Sequence, residues 1–336
     1  MWRTHCVRKR FSLFIPIVIS MALGSGCGIQ QPPEEGDLAV DTHCFMMQTD
    51  EIQVIIGDAS RDGVGGTQYC GVWSLTSDHR VFNAFGNAYA GLLPGEIRGL
   101  APTLEIIGPQ HADLVRASDE ENPVDVRASY ELIAPYTIEH RLTFTDRADM
   151  RHKACDFRTV SWCSYINSPA DSNLYFLSDG DWTAYMSPKH GFESNIAPSY
   201  IADASLERYP VEWYTDQGQN PPFHWNRVGI RFDEPFYYGR LDNMVLIYVF
   251  DHPDWLRFFC SPSGGGTSLL PGKNCPAWDF MWVIPGDAYE VGKPYTFSVR
   301  MIYKRFEGNE DVLAEVQKAR EALEPDREDV KNAEVL

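Results

Sequence analysis

The stretch Tyr136-Thr-Ile-Glu-His-Arg-Leu-Thr-Phe144 alternates apolar and polar residues. Successive side chains of a β-strand point to opposite faces of a sheet, so a period of two predicts a strand with one buried face. Short runs rich in β-branched and aromatic residues, separated by turn residues, extend outward from it across Cys44–Tyr303. No regular alternation of strands with long helices, as a parallel sheet requires, is present. We therefore predict an all-β fold, a large antiparallel sandwich of two sheets.

One short helix is predicted after the last strand. Asn309 can cap its first turn, and acidic residues follow at the end where the helix dipole is positive. The apolar residues that share one face are Val312, Leu313, Val316 and Ala319. We expect this helix to end before Pro325, so residues 309–336 form a helix and a charged tail behind a sandwich domain of residues 44–308.

The first 27 residues predict export. Basic residues precede the apolar run Phe11–Leu23, and small residues follow it up to Cys27. This order is that of a secretory signal, and the apolar run is short for a membrane span. The ending Leu-Gly-Ser-Gly-Cys resembles a bacterial lipobox, although glycine stands where leucine is usual. Cys27 is therefore the predicted lipidation site and residues 28–43 a polar tether; plain secretion and an uncleaved anchor are the alternatives.

The net charge excludes one class of partner. The chain carries −18 at pH 7, and loss of the four basic residues of the leader would make it −22. Such a surface repels phosphate backbones, so nucleic acid is not an expected partner. An acidic surface of this kind is compatible with neutral ligands or cations.

Six cysteines remain after the leader. An even number in an exported protein favours disulfides. Their grouping in sequence suggests the pairs Cys44–Cys70, Cys155–Cys163 and Cys260–Cys275, with buried thiols as the alternative. No Cys-x-x-Cys spacing and no other metal-binding or cofactor motif is found, so neither a metal nor a cofactor is predicted.

Aromatic and acidic residues are densest between Phe232 and Trp282, and a further polar and aromatic group, Pro222-Phe-His-Trp-Asn226, precedes this stretch. Sugars have apolar C–H faces and many hydroxyls, so flat aromatic platforms beside carboxylates and arginine suit them. The candidate binding residues are Trp225, Tyr237, Tyr238, Trp278, Arg240 and Asp279. The alternative is that the aromatic residues form the core and the charges a buried structural network.

Two acid–base arrangements can be drawn from the same residues. A polysaccharide lyase would use His224 or Tyr238 to abstract a proton, while Arg240 neutralises the carboxylate of a uronate. A glycosidase would use two carboxylates, and Glu234 with Asp279 are the available pair. The predicted catalytic residues are thus His224, Glu234, Tyr238 and Arg240.

Several motifs resemble the galactose-mutarotase-like supersandwich, the fold shared by aldose epimerases and the sandwich domains of polysaccharide lyases. They are Tyr89-Ala-Gly-Leu-Leu-Pro94, Trp162-Cys-Ser-Tyr-Ile-Asn167 and Val283-Ile-Pro-Gly-Asp-Ala-Tyr289, and the resemblance covers roughly residues 45–305. Mutarotases have a general-acid histidine just before the Tyr-Phe-Asn turn, where this chain has Trp162 and Cys163. The resemblance therefore implies the fold and argues against ordinary epimerase chemistry.

Three further motifs are similar to those of a family of exported bacterial proteins: Tyr237-Tyr-Gly-Arg240, Ser261-Pro-Ser-Gly-Gly-Gly266 and Pro276-Ala-Trp-Asp-Phe280. We thus expect an exported, lipid-anchored β-sandwich protein of the cell envelope that interacts with carbohydrate. A glycan-active enzyme on the same fold and a structural envelope protein without a ligand are the alternatives.

Overall fold

Two nine-stranded sheets form the protein in the computed structural model, which describes residues 43–58, 69–92, 102–151, 156–189, 192–201, 227–262, 268 and 274–333. The strands are β1 (Cys44–Gln48), β2 (Ile52–Gly57), β3 (Cys70–Ser77), β4 (Phe85–Leu92), β5 (Thr103–Gly108), β6 (His111–Arg116), β7 (Val124–Ile133), β8 (Thr137–Asp146), β9 (Phe157–Ile166), β10 (Asp171–Ser178), β11 (Asp181–Tyr185), β12 (Asn195–Pro198), β13 (Arg227–Phe232), β14 (Phe236–Leu241), β15 (Met244–Phe250), β16 (Leu256–Ser261), β17 (Ala277–Pro285) and β18 (Pro294–Arg305). One helix, α1 (Asn309–Ala333), follows them.

The first sheet has the strand order β1-β2-β3-β4-β9-β17-β16-β12-β13, and the second β11-β10-β14-β15-β18-β8-β7-β6-β5. All the pairings described are antiparallel except that of β12 with β13, which is parallel. The predicted all-β fold of two sheets with one C-terminal helix is confirmed.

The core lies between the sheets and follows the alternation in the sequence. In β8 every second residue is buried, and Ile138, Leu142 and Phe144 point inward. On the opposite face of the same sheet, Glu139 pairs with Arg300 of β18 at 2.6 Å. This half of the second sheet therefore has one apolar and one polar face, which explains why its strands could be read from a period of two.

The central strands lack this alternation because both of their faces are buried. Every residue of β15 and β16 is buried, as are all but the last of β17. On the second sheet, α1 covers the outer face, where its residues Val312, Val316 and Ala319 pack against β14 and β15. On the first sheet, the outer-face side chains of β16 and β17 are also shielded from solvent.

Helix α1 differs from its prediction at two points. It continues past Pro325 to Ala333; the proline removes one backbone hydrogen bond, and the residues after it include good helix formers. Leu313, expected on the packed face, is 37% exposed. Within the described ranges, no helix has the length and hydropathy needed to cross a membrane.

The predicted disulfides are not formed among the described cysteines, and Cys155 lies outside the described residues. Cys44 and Cys70 lie on β1 and β3, with β2 between them. Two strand spacings make about 9.5 Å, beyond the reach of a disulfide, which needs Cα atoms within about 7 Å. Cys260 pairs in register with Trp278, three residues from Cys275 along the chain, so this pair is also too distant.

Candidate functional site

The residues predicted to form one site lie in three separate layers of the sandwich. Tyr237 and Trp278 lie between the sheets, and Asp279 lies on the outer face of the first sheet. The remaining described candidates, Glu234, Tyr238 and Arg240, contact the C-terminal region around α1. His224 and Trp225 lie outside the described residues.

Trp278 and Tyr237 are core residues with 0% exposure. The Trp278 indole donates a hydrogen bond to the carbonyl oxygen of Ser172 at 2.8 Å, and the Tyr237 hydroxyl donates to the carbonyl oxygen of Trp278 at 3.2 Å. A Cβ atom on Gly239 would lie 2.2 Å from the Trp278 ring. The glycine of the Tyr-Tyr-Gly-Arg motif thus makes room for this tryptophan, and neither aromatic ring is a surface platform.

Tyr238 contributes to the attachment of α1. Its hydroxyl donates to Oδ1 of Asn309, the first residue of the helix, at 2.7 Å, and its ring stacks on Tyr175 with the centroids 4.9 Å apart. Burial raises the pKa of Tyr238 to about 12, and Tyr175 adds to the shift. Deprotonation at neutral pH is therefore unfavourable, which speaks against the predicted role of Tyr238 as a base.

Arg240 and Glu234 also contact the region around α1. The guanidinium carbon of Arg240 lies 3.6 Å from the centre of the Phe306 ring, a cation–π contact. Glu234 accepts a hydrogen bond from Arg320 of α1 at 2.8 Å. The predicted catalytic set is therefore not assembled among the described residues, because three of its members join the helix region to the second sheet.

The two carboxylates considered for a glycosidase are also separated. Glu234 lies beside α1 on the outer side of the second sheet, whereas Asp279 lies on the outer face of the first sheet. The backbones of packed sheets are about 10 Å apart, and the two side chains point away from each other. They cannot flank one glycosidic bond.

Asp279 stands out as a buried carboxyl on β17. It is 4% exposed, and its neighbours Trp278 and Phe280 point to the core on the opposite face. Oδ1 accepts a hydrogen bond from the backbone N–H of Ser164 at 2.6 Å, and Oδ2 accepts one from the thiol of Cys163 at 3.1 Å. Burial raises the pKa of Asp279 to about 7 and outweighs the effect of these hydrogen bonds.

The surroundings of Asp279 combine aromatic and polar groups. Phe259 lies opposite it on β16. Cys163 packs with Tyr69 and Tyr165, whose ring centroids are 5.9 Å apart and whose hydroxyls are hydrogen-bonded at 3.2 Å. We call Tyr69, Cys163, Tyr165, Phe259 and Asp279 the outer-face cluster.

One feature of the sequence indicates this cluster. Asp279 is the single charged residue in the otherwise apolar strand Ala277–Pro285, which marks a carboxyl held away from water. Its partnership with Cys163, 116 positions away, had no local signal. In the described part of the chain, no three His, Cys, Asp or Glu side chains are arranged to hold a metal ion.

We expect the contribution of Asp279 to the stability of the protein to fall as the pH rises from about 4 to 7. The folded state keeps the Asp279 proton up to a pKa of about 7, whereas an unfolded aspartate releases it near its ordinary value of 3.8. Asp279→Asn should therefore raise the free energy of unfolding by up to about 4 kcal/mol at pH 8 and change it little at pH 4. Urea denaturation at both pH values measures this, and an equal effect at the two would contradict it.

No protein-family model matches the chain, and no curated protein matches it. Among solved structures, it is similar to an aldose epimerase homologue from Caenorhabditis elegans, with 8% identity, a TM-score of 0.45 and coverage of 79% of this chain and 100% of that one. It is also similar to a heparan sulfate lyase from Pedobacter heparinus, with 10% identity, a TM-score of 0.43 and coverage of 80% and 38%. These are likenesses of fold at very low identity.

Proposed function

We propose that this is an exported, lipid-anchored protein of the cell envelope that binds a neutral carbohydrate at the outer-face cluster. The observation that carries this proposal is the buried Asp279 carboxyl beside Cys163 on the outer face of the first sheet. A carboxyl group accepts hydrogen bonds from sugar hydroxyls, and aromatic rings contact the apolar faces of sugars. The cluster supplies both kinds of group, and the motif resemblance leads to the same class of ligand.

Charge supports a neutral glycan over an acidic one. The mature chain predicted from the sequence would carry −22, and Asp279 adds a carboxyl at the cluster itself. Uronate and sulfate groups would be repelled by this surface, and by Asp279 whenever its carboxyl is ionised. This charge balance disfavours the acidic substrates that a polysaccharide lyase takes.

Burial restricts how such a ligand binds. Asp279 is only 4% exposed. A ligand group can therefore contact its carboxyl only after it passes between the sheet and the residues that shield this face from solvent. A terminal sugar residue fits that requirement better than the middle of a rigid chain. Hydrogen bonds made there are stronger than on an open surface, because water does not compete for the same groups.

Binding to a glycan array by wild type, Asp279→Asn and Asp251→Asn tests the proposal. Asp251 is a matched control, since it is also a buried carboxyl with its pKa raised by burial, to about 6, and it accepts a hydrogen bond from the Ser298 N–H at 2.8 Å, away from the cluster. We expect wild type and Asp251→Asn to bind the same neutral glycans and Asp279→Asn to lose at least tenfold in affinity, about 1.4 kcal/mol. Equal binding by the wild type and both variants would show that the outer-face cluster is not the binding site. If the wild type binds no glycan, the remaining interpretation is a structural envelope protein without a ligand.

A glycan-active enzyme is the second candidate, and one observation favours it. A carboxyl whose pKa is about 7 can both hold and release a proton near neutral pH, as general acid–base catalysis requires. Incubation with the glycans that bind, followed by a reducing-end assay, separates the two functions. New reducing ends that are absent with Asp279→Asn would make the protein an enzyme, whereas unchanged glycans would leave it a binding protein.

Export and anchoring rest on the leader, which lies outside the described residues. The basic start, the apolar run and Cys27 support lipid modification of that cysteine. Mass spectrometry of the mature N-terminus measures it directly. A mature chain that starts elsewhere, or an unmodified Cys27, would contradict the anchor without affecting the carbohydrate site.

A further inference from the structure

Trp73 lies on the outer face of the first sheet, the face that carries the outer-face cluster. In β2, Val54 and Ile56 point into the core, so Gly57 faces the opposite side of the sheet. A Cβ atom on Gly57 would lie 2.1 Å from Cδ2 and Cε2 of Trp73, the two atoms that the rings of the indole share. The glycine therefore allows the flat face of the indole to lie directly on the backbone of the sheet.

A β-bulge in β3 places Trp73 there. The register between β2 and β3 passes from the pair Ile55–Ser74 to the pair Ile56–Val72, which leaves Trp73 as the extra residue. Bulges of this kind change the direction of a side chain and are common beside functional sites.

Hydrogen bonds hold both the bulge and the ring in place. The side-chain amide of Asn83 donates to the carbonyl oxygen of Trp73 at 2.8 Å, and its oxygen accepts from the backbone N–H of Leu75 at 3.0 Å. The indole Nε1 of Trp73 donates to the carbonyl oxygen of Tyr69 at 2.6 Å. A ligand that stacks on this ring would find it already ordered, which lowers the entropic cost of binding.

Trp73 differs from the tryptophans of the core in its exposure. Trp162, Trp278 and Trp282 are fully buried in the core, whereas Trp73 is partly exposed. Because one face of its indole lies on Gly57, the exposed part belongs to the other face and to the edges of the ring. Flat aromatic surfaces of this kind contact the apolar faces of sugars.

Trp73 is connected to the outer-face cluster through Tyr69. This tyrosine accepts the hydrogen bond of the Trp73 indole and packs with Cys163 and Tyr165. In the sheet order β2-β3-β4-β9, three strand spacings separate the strand under Trp73 from the strand of Cys163, about 14 Å in all. One monosaccharide cannot cover that distance, whereas a short chain of sugar residues can.

We propose that Trp73 is a second sugar platform of the outer-face site, and that the ligand is therefore an oligosaccharide. Its terminal residue contacts Asp279, and the residues that follow stack on Trp73. This inference rests on the carbohydrate binding proposed above and extends it to the length of the ligand. The exposures agree with this orientation, since Asp279 is buried and Trp73 is partly exposed.

Calorimetric titration of the full chain with glucose, mannose and galactose, and with neutral short oligosaccharides of each, tests the proposal. We expect the wild type to bind one oligosaccharide series at least tenfold more tightly than its monosaccharide. Trp73→Ala should lose that gain and keep the affinity for the monosaccharide. Trp182→Ala is the matched control, because Trp182 is also partly exposed but packs against Phe236 and Tyr238 on the second sheet; its binding should equal that of wild type.

Nuclear magnetic resonance of the wild type gives a second measurement that does not depend on the folding of a variant. The indole N–H signal of Trp73 should shift when the oligosaccharide is added and remain nearly unchanged with the monosaccharide. The indole of Trp278, which is buried and bonded to Ser172, should not shift with either.

The outcomes separate this inference from the function on which it rests. Binding that Asp279→Asn weakens, but that depends neither on Trp73 nor on the length of the sugar chain, would overturn the second platform and retain the carbohydrate site. An unshifted Trp73 signal in wild type saturated with oligosaccharide would do the same. If the wild type binds none of these sugars, both proposals are wrong.

Discussion

Trp278→Ala should lower the free energy of unfolding by about 3–5 kcal/mol. The side chain has 0% exposure, fills the space above Gly239 and donates a hydrogen bond to Ser172. Its removal leaves a cavity between the sheets and an unpaired carbonyl oxygen. Urea denaturation at pH 7 measures the loss.

A matched variant separates packing from ligand contact. Trp278→Phe keeps most of the ring and should cost less than Trp278→Ala, and any glycan binding should survive in it. A folded Trp278→Ala that is as stable as wild type, but no longer binds glycan, would restore the platform role predicted from the sequence.

Arg158→Met should cost a similar amount, about 3–5 kcal/mol. Nε and Nη2 of Arg158 on β9 donate to the two carboxylate oxygens of Asp146, at the end of β8, at 2.8 and 3.2 Å. The side chains are 6% and 0% exposed, and the pair joins the two sheets. Methionine keeps the length of the side chain but leaves a carboxylate buried without its cation.

The double variant Asp146→Leu with Arg158→Met is the control for this ion pair. Removing both charges should recover most of the loss, because the large cost comes from the uncompensated carboxylate rather than from the absent attraction. Denaturation of the wild type, both single variants and the double variant gives the coupling energy. A single Arg158→Met variant within about 1 kcal/mol of wild type would contradict the expected cost.

The strands could be predicted from the sequence wherever one face of a sheet is exposed to solvent. Tyr136–Phe144 could be assigned because burial on one side imposes a period of two. In β15 and β17 both faces are buried, so apolar residues occupy every position and the pattern no longer says which way a side chain points. Trp278 and Asp279 were therefore assigned to one site, although neighbouring residues of a strand face opposite sides.

The candidate site was harder because its partners are distant in sequence. Glu234 contacts a helix residue 86 positions later, and Asp279 contacts Cys163 from 116 positions away. Local spacing carries no information on such contacts. Density of aromatic and charged residues indicated an important region, but not whether its role was binding, catalysis or holding α1 in place.

The packing of α1 has a consequence for protein engineering. The helix is the cover of an apolar sheet face formed by β14 and β15, including Tyr238, Val245 and Ile247. A chain cut at Gly308 would present that face to water as an exposed apolar patch. Such a shortened protein should self-associate, so a fusion or affinity tag belongs after Ala333 rather than in place of the helix.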